Sequence, residues 1–157
     1  MKKILFCCLV LLMGACKDKN NEPEPDPDYS TEFVGQYGTT TAKDGISTVQ
    51  TWDVSRVDKN LLGIKYTVAY TITAPGKVFT STDIYNLDKV VVIDALNFRI
   101  DQQALYTDDG FEKIRTVQGD GVKIRDANGD IKLGITMNLI DQDGSSQSSG
   151  YLEFKKK

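Results

Sequence analysis

Leu62-Gly63-Ile64-Lys65-Tyr66-Thr67-Val68-Ala69-Tyr70-Thr71-Ile72 decides the fold, because its apolar residues fall at every second position. Leu62, Ile64, Tyr66, Val68, Tyr70 and Ile72 lie on one side of an extended chain, and Gly63, Lys65, Thr67, Ala69 and Thr71 on the other. A period of two in β-branched and aromatic residues belongs to a strand with one face in a core and one in water. Ile131, Leu133, Ile135, Met137 and Leu139 repeat the pattern against Lys132, Gly134, Thr136 and Asn138.

Working outward, shorter runs bounded by turn residues predict further strands over residues 33–41, 47–57, 78–82, 90–93, 96–100, 113–117, 122–125 and 151–154. Asp44-Gly45, Lys59-Asn60, Gly119-Asp120-Gly121 and Asn128-Gly129 read as the short connections between them, Asn-Gly in particular favouring a type I′ turn. Sequential strands are then antiparallel neighbours, since the spacings leave no room for crossover helices. Only residues 82–88 and 102–107 have the composition for a helical turn. The fold class is all-β, an antiparallel up-and-down meander of about eight to ten strands, closed as a barrel or folded as a two-sheet β-sandwich. Closure is the expected outcome because it removes both exposed edges. Residues 29–157 form one domain, long enough for one core and too short for two.

The N-terminus has a different character. Lys2 and Lys3 lead into an apolar run, 4–13, that is far shorter than the ~20 residues of a membrane-spanning helix. Met13-Gly14-Ala15-Cys16 resembles the lipobox of bacterial lipoproteins, with Met13 departing from the usual Leu. The resemblance implies that residues 1–15 are a signal peptide, that Cys16 is the lipid attachment site and mature N-terminus, and that the chain is anchored to an outer membrane without any segment crossing it. Residues 16–28 follow as a tether, in which Pro23, Pro25 and Pro27 alternate with acids and so favour an extended chain. Acids soon after a lipidated cysteine resemble the export signals that send some Gram-negative lipoproteins to the cell surface, which is the expected location ahead of the periplasmic face.

Loss of Lys2 and Lys3 takes 19 basic residues to 17 against 22 acids, a net charge of −5 for the mature chain. A scattered, mildly acidic balance offers no footprint for nucleic acid. The chain has no His, and its three Cys are Cys7, Cys8 and Cys16, at or before the processing point. A Ser-His or Cys-His pair, an imidazole metal ligand, a zinc-thiolate cluster and a disulfide in the domain are thereby excluded. Asp126-Ala127-Asn128-Gly129-Asp130 opens like an EF-hand loop, but Ile131 stands where the loop needs Gly and Met137 where it needs Glu. The expectation is a protein that is not an enzyme and has neither metal nor cofactor.

Phe33-Val34-Gly35-Gln36-Tyr37 resembles the Gly-x-aromatic opening of calycin barrels, with Tyr37 in place of the usual Trp. Residues 97–103, and Gly119-Asp120-Gly121-Val122 leading into 131–139, are similar to lipocalin-like lipoproteins of gut-type Gram-negative bacteria. The resemblance implies a lipocalin-like barrel and, with it, binding of a small apolar or amphipathic ligand inside. Inward aromatic residues would line such a site, and Tyr37, Trp52, Tyr66, Tyr70 and Phe98 are the candidates. The same residues also suit a solid core, in which case the domain acts as an interaction module on protein or glycan partners: an accessory subunit, adhesin or inhibitor.

Overall fold

The computed structural model describes residues 26–108 and 110–157. The expected signal peptide, Cys16 and the tether up to Pro25 lie outside the described residues. A single 3-10 turn, Ser30–Glu32, precedes eight strands: β1 (Gly35–Lys43), β2 (Ile46–Asp58), β3 (Leu61–Ala74), β4 (Lys77–Val92), β5 (Asn97–Asp108), β6 (Phe111–Arg125), β7 (Ile131–Asp141) and β8 (Ser146–Lys156). Each is antiparallel to the next and β8 returns to β1, so the sheet is a closed up-and-down barrel and not a sandwich.

Alternation sets the inside. Tyr37, Trp52, Val54, Leu62, Ile64, Tyr66, Tyr85, Leu87, Phe98, Ile100, Leu133, Ile135, Met137 and Phe154 are buried together in one cluster. Trp52 on β2 reaches Phe154 on β8 in a stack at 4.4 Å and Phe98 on β5 edge-on at 6.0 Å, so at this level side chains span the barrel from wall to wall. Phe33 closes that end from below, edge-on to Phe98 at 5.7 Å, under the ammonium of Lys123, which pairs with Glu32 at 2.9 Å. The Tyr37 hydroxyl donates to the Phe33 carbonyl at 2.9 Å. Asp28 ties the incoming chain to the same end, accepting from Ser30 N, Asn60 N and Arg56 Nε at 2.9 to 3.1 Å.

Several strands are longer than the sequence suggests. Residues 82–88 and 102–107 are strand, not helical turn, and 78–82 and 90–92 belong to one strand, β4, with Ile93 just past its end. Pairing overrides the local polar composition here. Ile64 faces Leu87 and Leu62 faces Val90, so β4 carries an extra residue between them, and the inward side chain of Gln102 accepts from Lys89 N at 3.1 Å where the β4–β5 ladder is interrupted. Gly119-Asp120-Gly121 is mid-strand in β6 and not a turn. Ile100 faces Gly119 and Phe98 faces Gly121, so the glycines leave room for large inward neighbours on β5.

The turns also sort themselves. Asp44 and Gly45 have φ of 51° and 79°, as a type I′ turn requires. At Asn128-Gly129 only Gly129 is positive, at 85°, and Asp126 N donates to Asp130 O across a wider turn. The carboxylate of Asp126 accepts from Asn128 N and Asp130 N, which holds this turn open against the type I′ form.

The end opposite Phe33 is less complete. The β1–β8 ladder consists of Tyr37 opposite Lys156 and Gly38 opposite Lys155, so residues 39–43 have no β8 partner among the described residues. The last described β4–β5 pair is Asp83 opposite Asp108, and residues 77–81 continue past it. The tips of β1 to β4 therefore rise past the closed wall as a four-stranded apron, whose two edges, 39–43 of β1 and 77–80 of β4, have no neighbouring strand among the described residues.

Candidate functional site

The five aromatic residues expected to line a pocket divide between the two ends. Tyr37, Trp52 and Phe98 are fully buried in the filled half and leave no space between them for a guest. Tyr66 and Tyr70 point the same way from further along β3, and Tyr70 is only partly buried. Trp52 meets Tyr66 edge-on at 5.9 Å, and above that contact the interior changes character.

A belt runs around the wall at that level, one residue from each of five successive strands. Tyr66 on β3 stacks on its cross-strand partner Tyr85 at 5.5 Å, and Tyr85 stacks on its partner Tyr106 of β5 at 4.9 Å and 8°. Arg115 on β6 lies over the far side of the series, 4.8 Å from the Tyr106 ring. Its direct partner across the ladder is Ala104, whose short side chain lets the guanidinium lean toward Tyr106. On the next strand, Asp141 takes Nε at 2.7 Å and Nη2 at 3.2 Å, while Nη1 donates to the Tyr85 hydroxyl at 3.1 Å. The Tyr66 hydroxyl donates to Gln50 Oε1 on β2, so the network covers six strands.

The belt is electrostatically settled. Burial pushes the Tyr66 and Tyr85 phenols well above the ordinary range, and the nearby Asp83 carboxylate adds to this. Burial opposes the Arg115 charge, but the Asp141 carboxylate and the neighbouring phenols outweigh it and raise its pKa further. Tyr66, Tyr85 and Arg115 therefore keep their protons near neutral pH. Beside it an open groove of about 570 Å³ is lined by Tyr106, Lys113, Asp141 and Asp143 of the β5–β6 and β7–β8 hairpins.

Gln50, Tyr85, Tyr106, Arg115 and Asp141 are not among the residues that the sequence singles out. Tyr85 and Leu87, like Ala104 and Tyr106, keep the alternation of β3, and that spacing was the available signal within segments that otherwise look like helical turns. Asp141 sits at the start of a polar Ser/Gly-rich loop and gains its role only through its register with Arg115. The chain matches no family model, no curated protein and no solved structure. The site is defined by its own geometry.

Proposed function

We propose that this chain is a non-catalytic binding lipoprotein, held at an outer membrane through Cys16 and displayed at the cell surface, whose barrel takes a small amphipathic molecule at its open end. The observation that carries the reading is the Tyr66-Tyr85-Tyr106-Arg115-Asp141 belt, a set of oriented polar groups on an aromatic wall directly above a filled core. Binding sites combine a mostly apolar surface with a few fixed polar groups in this manner. The full lower half moves the expected pocket away from Tyr37, Trp52 and Phe98 and toward the rim. The absence of catalysis is supported by a chain without His and by phenols and a guanidinium that hold their protons far above neutrality.

Native mass spectrometry after exposure of the chain to cell and medium extract tests it. A small adduct that is lost on unfolding and absent with Arg115→Met supports the reading, and a clean apo mass under all conditions removes it. A second reading, a module acting on a partner protein or glycan, draws on the edges of β1 over 39–43 and of β4 over 77–80, which have no neighbouring strand among the described residues and would offer backbone donors and acceptors to an added one. Cross-links from a partner to residues 77–81, abolished by Thr80→Pro, would favour it.

A further inference from the structure

The inner face of the apron is layered, and the order of its layers is informative. Ile46, Ile72 and Phe79 are cross-strand neighbours on β2, β3 and β4. They share the parity of the buried residues beneath them, yet they are 42%, 43% and 55% exposed. Phe111, of inward parity on β6, is 73% exposed. The next inward row down is Thr48, Tyr70 and Ser81, then Gln50, Val68 and Asp83, and then the belt. An apolar lip thus stands over a polar interval, and the dry core begins below that. A cup for a wholly apolar guest would have its apolar surface deepest.

Resting on the reading of the open end as a binding site, we infer that the ligand enters head first. An uncharged, hydroxyl-rich head group of a glycolipid-like amphiphile lies against the polar rows and the Arg115-Asp141 pair, and its apolar tail leaves across Ile46, Ile72 and Phe79. The head is assigned from what the site leaves on offer. Below the lip, among the described side chains, two inward acids, Asp83 and Asp141, stand against two inward bases, Lys113 and Arg115. A carboxylate head would have to displace Asp141 from a bidentate grip and leave that carboxylate without its partner. An ammonium finds both faces of Tyr85 covered by Tyr66 and Tyr106, and the far side of Tyr106 covered by Arg115. Phenol edges, carboxylate lone pairs and guanidinium corners remain, a mixture of donors and acceptors that a hydroxyl, being both, can satisfy.

The test is calorimetric titration of the full chain carrying Cys16→Ser with four probes: an alkyl glucoside below its micelle concentration, methyl glucoside, and a fatty acid and an alkyltrimethylammonium of the same chain length. The alkyl glucoside should bind tightest, by about tenfold or more over the two charged amphiphiles. Phe79→Ser, at an exposed position that the fold does not need, should weaken the alkyl glucoside by about tenfold and leave methyl glucoside unchanged. Asp141→Asn should weaken both. Tighter binding of the fatty acid or the ammonium overturns the head assignment while the binding reading survives. Alkyl glucoside affinity indifferent to Phe79→Ser and Asp141→Asn overturns the head-first site, and failure of all four probes to bind overturns both.

Discussion

The ring of Phe98 occupies the space that a side chain on Gly121 would need: a Cβ on Gly121 would collide with Phe98 Cζ. The two residues are partners across β5 and β6, and the ring also meets Trp52 and Phe33. Gly121→Ala is therefore expected to destabilise the barrel by about 1–3 kcal/mol, the usual cost of overpacking a full core. Denaturant unfolding followed by the fluorescence of Trp52, the single tryptophan, measures it. Phe98→Leu in the same chain should recover part of the loss, and an unchanged midpoint for Gly121→Ala would show that the ring is free to move aside.

Gln102 stands in for a missing ladder bond by accepting from Lys89 N, although its own Nε2 has no partner among the described residues. Replacing it with leucine leaves the Lys89 amide without this acceptor, for an expected loss of about 1–3 kcal/mol. Amide exchange at Lys89 should accelerate in Gln102→Leu. If exchange there is unaffected, the side chain does not hold the interrupted β4–β5 ladder.

Arg115 and Asp141 should couple measurably, because the pair is bidentate and Arg115 is only 16% exposed against 39% for Asp141. A double-mutant cycle over Arg115→Met and Asp141→Asn is expected to give about 1 kcal/mol, at the upper end for partly exposed pairs. Arg115→Met alone should cost more than Asp141→Asn alone, since it also removes the donor to Tyr85. Equal costs with no coupling would mean that the two groups act independently.

Stability should fall at both ends of the pH scale. Burial pushes the Tyr37 phenol up to about 12, and Tyr66 and Tyr85 move further in the same direction. The unfolded chain ionises its tyrosines near ~10, so above that pH it binds fewer protons than the folded chain and stability declines as pH rises. The acids move the other way. Asp28 is held well below the carboxylate range, first by the Ser30 hydroxyl and then by the Asn60 and Ser30 amides, and Glu32 is lowered by Lys123. Their contributions are present above the unfolded carboxylate value of ~4 and are lost as pH falls below it. The midpoint of Trp52 unfolding against pH should show a plateau with both limbs, and Tyr37→Phe should flatten the alkaline one. A midpoint that rises through the alkaline range would contradict the sign.

The strands that alternate cleanly, β3 and β7, were legible in the residues because each has one face in the core along most of its length. β4 and β6 were not, since each is interrupted where a neighbour decides the matter: 82–88 has the composition of a helical turn until Gln102 reaches across to Lys89, and Gly119 and Gly121 look like a turn until Ile100 and Phe98 take their space. Inward orientation was readable for Tyr66 and Tyr70, but the depth at which the barrel fills was not, because it depends on Trp52 meeting Phe98 and Phe154 from other strands. Arg115 and Asp141 lie 26 residues apart, and only the register of β6 against β7 brings them together.

Asp28 has a mechanical consequence. Tension on the chain ahead of it arrives at Ser30, Arg56 and Asn60, and Asn60 adds a hydrogen bond from its Nδ2 to the Pro27 carbonyl and accepts one from Tyr29 N. The load is thus passed to the β2–β3 corner before it can peel β1 away from the short ladder that closes it onto β8. A pull applied ahead of Asp28 would be borne by the sealed base of the barrel, at the opposite end from the rim that carries the belt and the apolar lip.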